Sequence, residues 1–192
     1  MDEEHRAGHG AEGRGARRDG REQGWPQAVT ITDVDASGSA LGAASVIFDA
    51  RGQVLLVHHT YGRLNWEIPG GICEPGESAF DAAIREAREE IGVSLVVVRL
   101  VGTYWERNWR ADRDMHHFVF EARLDPSSEP QVNDRSEISE LGWFSPRRLP
   151  GPISDFTVKR IGDALAKPPP ALWTISPRRW LAAGDVAEQV GS

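Results

Sequence analysis

The sequence predicts a single α/β domain, and three observations predict it. Short apolar, β-branched runs are separated by turn residues, two further segments repeat apolar residues at helical spacing, and the 192 residues suffice for one packed core. Strands interrupted by two helices in this order fit a mixed sheet packed between helices. The domain is expected over residues 28–167, after an arm at 1–27 and before an extension at 168–192.

Residues 1–27 are rich in Gly, Arg and Glu with almost no apolar side chains, a composition that reads as a disordered, passive tail. Val29 to Val34 alternates apolar and polar residues, as a half-buried strand does. Ala43 to Phe48 and Val54 to His58 flank the turn sequence Asp49-Ala50-Arg51-Gly52-Gln53, and together they read as a hairpin. A short strand at Trp66-Glu67-Ile68 leads into the turn-rich Pro69 to Glu77. Ser78 to Ile91 reads as helix, because Phe80, Ile84, Ala87 and Ile91 stand four, three and four apart and mark one buried stripe. Ser78 followed by Asp81 resembles a capping box, and Gly92 stands where helices commonly end in a left-handed residue. Leu95 to Trp105, Met115 to Arg123 and Ile138 to Phe144 read as further strands. Ser154 to Ala166 reads as a second helix with Phe156, Ile161 and Leu165 among its apolar positions, ended by Lys167-Pro168-Pro169-Pro170. The extension carries Trp173 and Trp180 and is expected to pack on the domain or on a second subunit, which leaves a homodimer open.

Composition narrows the partners. A net charge of −7 with 40% hydrophobic and 27% charged residues suits a soluble protein and disfavours binding to polymeric nucleic acid, which needs a basic surface. The lone Cys73 cannot form an internal disulfide, no apolar run is long enough to span a bilayer, and the first residues lack the basic and apolar regions of a signal peptide. A cytoplasmic location and no membrane association are expected. His58-His59 and His116-His117 are adjacent pairs on strands, so each pair points to opposite faces and zinc is not expected.

The chemistry concentrates at the first helix. Glu86, Glu89 and Glu90 are related as i, i+3 and i+4, so their carboxylates share one face, read as lying off the apolar stripe. Like charges this close repel, and a hard divalent ion such as Mg²⁺, or Mn²⁺, would relieve them while sharing substrate phosphate oxygens. Arg85, four residues before Glu89, can hold a carboxylate in orientation, and Glu77 adds an acid near the positive end of the helix. An isolated R-E-x-x-E-E run is usually a solvated helix side. Here Trp66-Glu67-Ile68-Pro69-Gly70-Gly71 and the turn after it bring backbone close to the helix start, which a surface helix does not require.

Gly71, Glu77, Arg85, Glu86, Glu89, Glu90 and Gly92 stand at G-x5-E-x7-R-E-x-x-E-E-x-G spacing, which resembles the Nudix box. The resemblance extends over roughly residues 41–166 and implies an α/β/α sandwich with a mixed sheet. It also implies Mg²⁺-dependent hydrolysis of a nucleoside diphosphate derivative by water attack on phosphorus. By the same resemblance Glu86, Glu89 and Glu90 become metal ligands with the Gly70 carbonyl as a further one, Arg85 and Glu77 become orienting charges, and Ala87 stands where the family often has a larger aliphatic residue. The resemblance implies that Glu89 and Glu90 belong to the catalytic set. The resemblance further implies a general base from the box helix or from a loop acid, for which Glu137, at a spacing that resembles the family's loop acid, competes with Glu140. A catalytically silent domain that senses a nucleotide is the alternative, disfavoured by the intact set of three acids.

Substrate signals are weaker. Trp66, Trp105 and Trp109 are candidates for stacking on a nucleobase, and Arg63, with Tyr61, Arg107 and Arg110, for ribose or phosphate contact. Core packing for tryptophan and solvation for loop arginine are the competing readings. Nucleoside triphosphates, nucleotide sugars and dinucleotides all remain open as substrates.

Overall fold

Ala43 and Ala44 are neighbours on strand β1 (Ala40–Ile47), and successive side chains of a strand leave opposite faces of the sheet. Ala43 clusters with Ala82 and Ala83 of helix α1 (Ala79–Ile91), whereas Ala44 clusters with Phe156 and Ile161 of helix α2 (Asp155–Ala166). The two helices therefore cover the two faces of the strand layer, the α/β/α sandwich that was expected. Strand β2 (Val54–His59) divides in the same way, with Val54 and Leu56 on the α2 side and Leu55 and Val57 on the α1 side. The computed structural model describes residues 38–110, 113–166, 171–175, 178–182 and 185. The expected arm at 1–27, the strand at Val29 to Val34 and the proline run after α2 lie outside these residues.

Among the described residues the strand layer consists of two mixed five-stranded sheets. In the first, β4 (Gly70–Ile72), β1, β6 (Arg113–Leu124), β5 (Leu95–Arg110) and β9 (Ala171–Ile175) lie side by side; in the second, β10 (Trp180–Leu181), β8 (Ile153–Ser154), β3 (Trp66–Glu67), β2 and β7 (Ile138–Phe144) do. β1 runs parallel to β6 and antiparallel to β4, and β2 runs antiparallel to both β3 and β7.

That arrangement corrects the expected hairpin. The turn forms as read, with Asp49 Oδ1 accepting from the N–H groups of Arg51 and Gln53 at 2.9 and 2.7 Å. The flanking strands then join different sheets and meet only in a bridge between Phe48 and Val54. Both edges of β1 are taken by β4 and β6, and both edges of β2 by β3 and β7, so neither has an edge left for the other.

Helix α1 is capped at both ends as the sequence indicates. Ser78 Oγ accepts the Asp81 N–H at 3.1 Å and donates to Asp81 Oδ2 at 2.6 Å, and Gly92 is left-handed at φ 69° with its N–H on the Arg88 carbonyl. Its buried face is rotated from the expected one. Ala82, Ala83, Ala87, Glu90 and Ile91 are buried, Ile84 is half-buried, and Phe80 is 47% exposed, meeting Phe120 of β6 edge to face. Glu90 thus belongs to the packed face, and the three acids are not all off it. In α2 the buried residues include Phe156, Ile161 and Ala164, while Leu165 is exposed.

Between Glu67 and Gly70 the chain passes from the second sheet to the first, pinned where the Ser45 N–H donates to the Pro69 carbonyl at 2.9 Å. The approach is close enough that a Cβ on Gly70 would lie 2.3 Å from the Ala43 carbonyl oxygen. The extension packs on its own domain where it is described, β9 parallel to β5 and β10 antiparallel to β8. Among the described residues no helix is long and apolar enough to cross a membrane.

Candidate active site

A cleft of about 760 Å³ opens beside the crossing between the sheets, and Gly70, Gly71, Arg85, Glu86, Glu89, Glu90 and Glu137 all border it. Glu90 is 2% exposed and accepts the Gly70 N–H at 3.0 Å. Burial, and then the charge of Glu86, push its carboxyl well above the usual carboxylate range despite that hydrogen bond. Glu86 is also raised, first by burial, with Arg85 opposing. Glu89 is the exposed member of the three, its side chain 55% accessible.

Arg85 joins the acids into one assembly. Its Nε donates to Glu77 Oε1 at 2.9 Å, its Nη1 to Glu86 Oε1 at 2.9 Å and Glu89 Oε2 at 2.7 Å, and its Nη2 to Glu77 Oε2 at 3.0 Å and the Ile72 carbonyl at 2.9 Å. Glu77 stands outside the cleft wall, holding Arg85 and accepting the Glu74 N–H at 3.0 Å. Among the described residues no three carboxylate, imidazole or thiol groups converge into a metal cage; the Arg85 guanidinium bridges Glu86 and Glu89.

The donor set nevertheless fits a hard cation. Every candidate ligand atom is an oxygen, and Gly71 leaves the room that the Glu86 carboxylate fills, since a Cβ there would lie 2.3 Å from Glu86 Oε1. Half-buried Glu86 and buried Glu90 are two acids held above their ordinary range, which is the condition a divalent ion relieves.

Of the two loop acids, Glu137 borders the cleft and its charge reaches both Glu86 and Glu90. The Thr60 N–H fixes the Glu137 carbonyl at 2.8 Å. Glu140 pairs with His58 on β7 and does not border the cleft.

The residues read as substrate contacts are scattered. Trp66 is a core residue, 8% exposed, with its ring edge to face on Phe144 and tilted against His58. Arg63 lies 4.9 Å over the Trp180 ring, and Trp105 is half-buried on β5; neither borders the cleft. Trp109 does border it, as does His59, stacked on Tyr61 at 4.7 Å. Cys73 packs beside the Ala43 and Phe120 cluster, its thiol pushed up chiefly by burial.

The sequence reading missed the cleft wall on the α2 side. Arg160 is 3% exposed, stands 3.8 Å over the Phe156 ring and donates to Glu67 Oε1 at 2.7 Å, while Thr157 Oγ1 donates to Glu67 as well. Arg178 stands 4.9 Å over the same ring and grips Glu106, which also receives His117 Nε2 at 3.0 Å. Burial opposes the charge of Glu67, yet Arg160 foremost keeps its carboxyl below the ordinary range. Glu67 sits inside the Trp66 to Gly71 run that leads to the helix and was a legible candidate; Arg178, beyond the proline run, carried no local signal.

The fold, the glycine loop and the acid-bearing helix define a NUDIX-type domain. Residues 38–162 match the NUDIX domain family model, and the chain belongs to that family. It is 34% identical over 109 residues to a Bacillus subtilis (strain 168) protein provisionally named an 8-oxo-dGTP diphosphatase, a match covering 57% of this chain and 68% of that protein. It is 38% identical over 76 residues to an RNA pyrophosphohydrolase of Klebsiella pneumoniae (strain 342), covering 40% of this chain and 42% of that one. Among solved structures, the MutT NUDIX hydrolase of Burkholderia pseudomallei superposes with a TM-score of 0.59 at 25% identity, covering 65% of this chain and 97% of the other.

Proposed function

We propose that the protein is a divalent-metal-dependent hydrolase that cleaves the pyrophosphate linkage of a nucleoside diphosphate derivative with water as nucleophile. The observation that carries this reading is the assembly of Glu86, Glu89 and Glu90 at a cleft large enough for a nucleotide, with Gly71 leaving space for the Glu86 carboxylate. Glu86, Glu89, Glu90 and the Gly70 carbonyl would hold Mg²⁺ or Mn²⁺. When bound, such an ion neutralises phosphate charge and lowers the pKa of a water. Arg85 keeps Glu86 and Glu89 in orientation through its grip on Glu77. Glu137, on the cleft wall and within electrostatic reach of Glu86 and Glu90, takes the proton from the attacking water. The names of the Bacillus and Klebsiella relatives both describe cleavage of a diphosphate linkage, in 8-oxo-dGTP and in RNA, which supports the reaction class.

The test is product analysis after incubation with Mg²⁺ and a panel of nucleoside triphosphates, nucleotide sugars, ADP-ribose and dinucleotides, beside a Glu90→Gln control. Metal-dependent cleavage that the control loses supports the reading. Nucleotide binding with no turnover across the panel replaces it with a sensing role.

A further inference from the structure

We propose that Arg178 reads the nucleobase of the substrate and selects one presenting two adjacent hydrogen-bond acceptors, the O6/N7 edge of guanine. This deepens the hydrolase reading by naming the base, and it rests on that reading for the entry of a nucleotide into this cleft. Arg178 borders the cleft from the α2 side with its side chain 21% exposed. Its guanidinium is fixed twice, by the Phe156 ring 4.9 Å beneath it and by Glu106, which accepts from Nε at 2.6 Å and from Nη2.

Glu106 thereby occupies the side edge of the guanidinium, the one formed by Nε and Nη2. An arginine carries five N–H donors in a planar fork. The end edge, with one N–H from each of Nη1 and Nη2, has no partner among the described residues. Two parallel donors suit two acceptors side by side, which a phosphate, a carboxylate or the guanine O6/N7 edge can each supply.

Charge favours the base. Arg178 is already matched by Glu106 and Arg160 by Glu67 at 2.7 Å, so this wall carries no net positive charge. A phosphate on Arg178 would lie beside the Glu106 carboxylate without a surplus cation to hold it, whereas an uncharged base meets no such repulsion. Trp109, Met115 and His117, which border the same cleft, add planar and apolar surface. Adenine carries an amino group where guanine has O6, so a donor would face a donor.

The experiment is calorimetric titration of the full chain, without metal, with guanosine, adenosine and 7-deazaguanosine 5′-monophosphates, the last lacking the N7 acceptor. Wild-type protein is expected to bind the guanosine nucleotide about tenfold tighter than either of the others. Arg178→Ala is expected to bring all three within a factor of about two, as the loss of a bidentate contact requires. Arg178→Lys keeps a cation beside Glu106 without the paired donors. It is expected to lose the discrimination with an unfolding midpoint near wild type, and it carries the comparison if the alanine variant does not fold. Equal binding of the three nucleotides to wild type, no binding of any, or an unchanged preference in both variants overturns the proposal. A loss in the variants that grows from guanosine mono- to di- to triphosphate instead of following the base also overturns it, and makes Arg178 a phosphate contact. Guanine preference without hydrolysis of any substrate would sink the hydrolase reading alone.

Discussion

Gly70 and Glu90, twenty positions apart in the chain, are joined by a hydrogen bond of 3.0 Å from the Gly70 N–H to Glu90 Oε2. The bond ties the glycine loop to the buried face of α1, so loop and helix form one structural unit. It also provides a polar partner for a carboxylate that is 2% exposed and would otherwise be poorly satisfied.

Replacing Glu90 with glutamine keeps its size and its acceptor while removing a buried charge. Activity is expected to fall by about 10²- to 10⁴-fold, the range for loss of a group that acts in the chemical step. Metal-free stability is expected to hold or rise, because the charge was uncompensated by a cation. Mg²⁺ should raise the thermal midpoint of the wild type and not of the variant. Full activity in Glu90→Gln would remove Glu90 from the mechanism.

Gly70 and Gly71 should respond differently to alanine. At Gly70 the new Cβ would meet backbone, the Ala43 carbonyl oxygen at 2.3 Å, and backbone in a sheet cannot yield, so a loss of about 1–3 kcal/mol is expected. At Gly71 it would meet the end of the Glu86 side chain, also at 2.3 Å, which can swing away. Urea unfolding should therefore show little change for Gly71→Ala while turnover drops with the displaced carboxylate. Equal destabilisation of both variants would contradict this division.

The parts of the site legible in the sequence are those that depend on local spacing. The shared helix, the Ser78 and Gly92 caps and the approach of Gly70 and Gly71 all follow from residues within one stretch. The stripe through Phe80 was misplaced because periodicity reports where apolar residues recur and not which neighbour covers them. The Gly70 loop and β1 lie over the Ala83, Ala87 and Glu90 side, and a buried glutamate reads as polar in any such count. The hairpin failed for a related reason: a short turn brings two strands together, yet distant partners had claimed both edges of each. Arg160 and Arg178 reach the cleft only because α2 and the extension fold back on the strands, and nothing beside them in sequence announces it.

Arg85 is expected to resist conservative replacement. It holds Glu77 through two nitrogens, bridges Glu86 and Glu89, and donates to the Ile72 carbonyl, a set that a single ammonium cannot span. Arg85→Lys and Arg85→Ala should each lower turnover by about 10- to 100-fold. Near-complete rescue by lysine would mean that only a point charge is needed there.

The acid limb of stability offers a test of the α2-side wall. Burial would raise the Glu106 carboxyl, but hydrogen bonds from His117 and Arg178 outweigh it and bring it down from 4.5 to about 2. The folded protein therefore holds this proton more weakly than the unfolded chain does. The resulting stabilisation is present above pH 4.5 and is lost as pH falls toward 2, with an upper bound of about 3 kcal/mol. In denaturant unfolding, the gap between wild type and Glu106→Gln should be widest above pH 4.5, narrow as pH falls, and close only at about pH 2 and below. A gap constant with pH would assign the effect to packing.

Glu137 and Glu140 can be separated by the same kind of comparison. Both are exposed, yet Glu137 borders the cleft with its charge felt by Glu86 and Glu90, whereas Glu140 faces away on β7 opposite His58. Glu137→Gln should lower turnover by about 10²- to 10⁴-fold with KM little changed, since a base acts in the transition state and contributes little to ground-state binding. Glu140→Gln should leave both constants at wild-type values, and neither change should shift the thermal midpoint by more than a degree or two, because solvated side chains contribute little to stability. If Glu137→Gln turns over normally, the proton goes to an acid of α1 instead, and Glu89, the one exposed member of that set, becomes the residue to replace next.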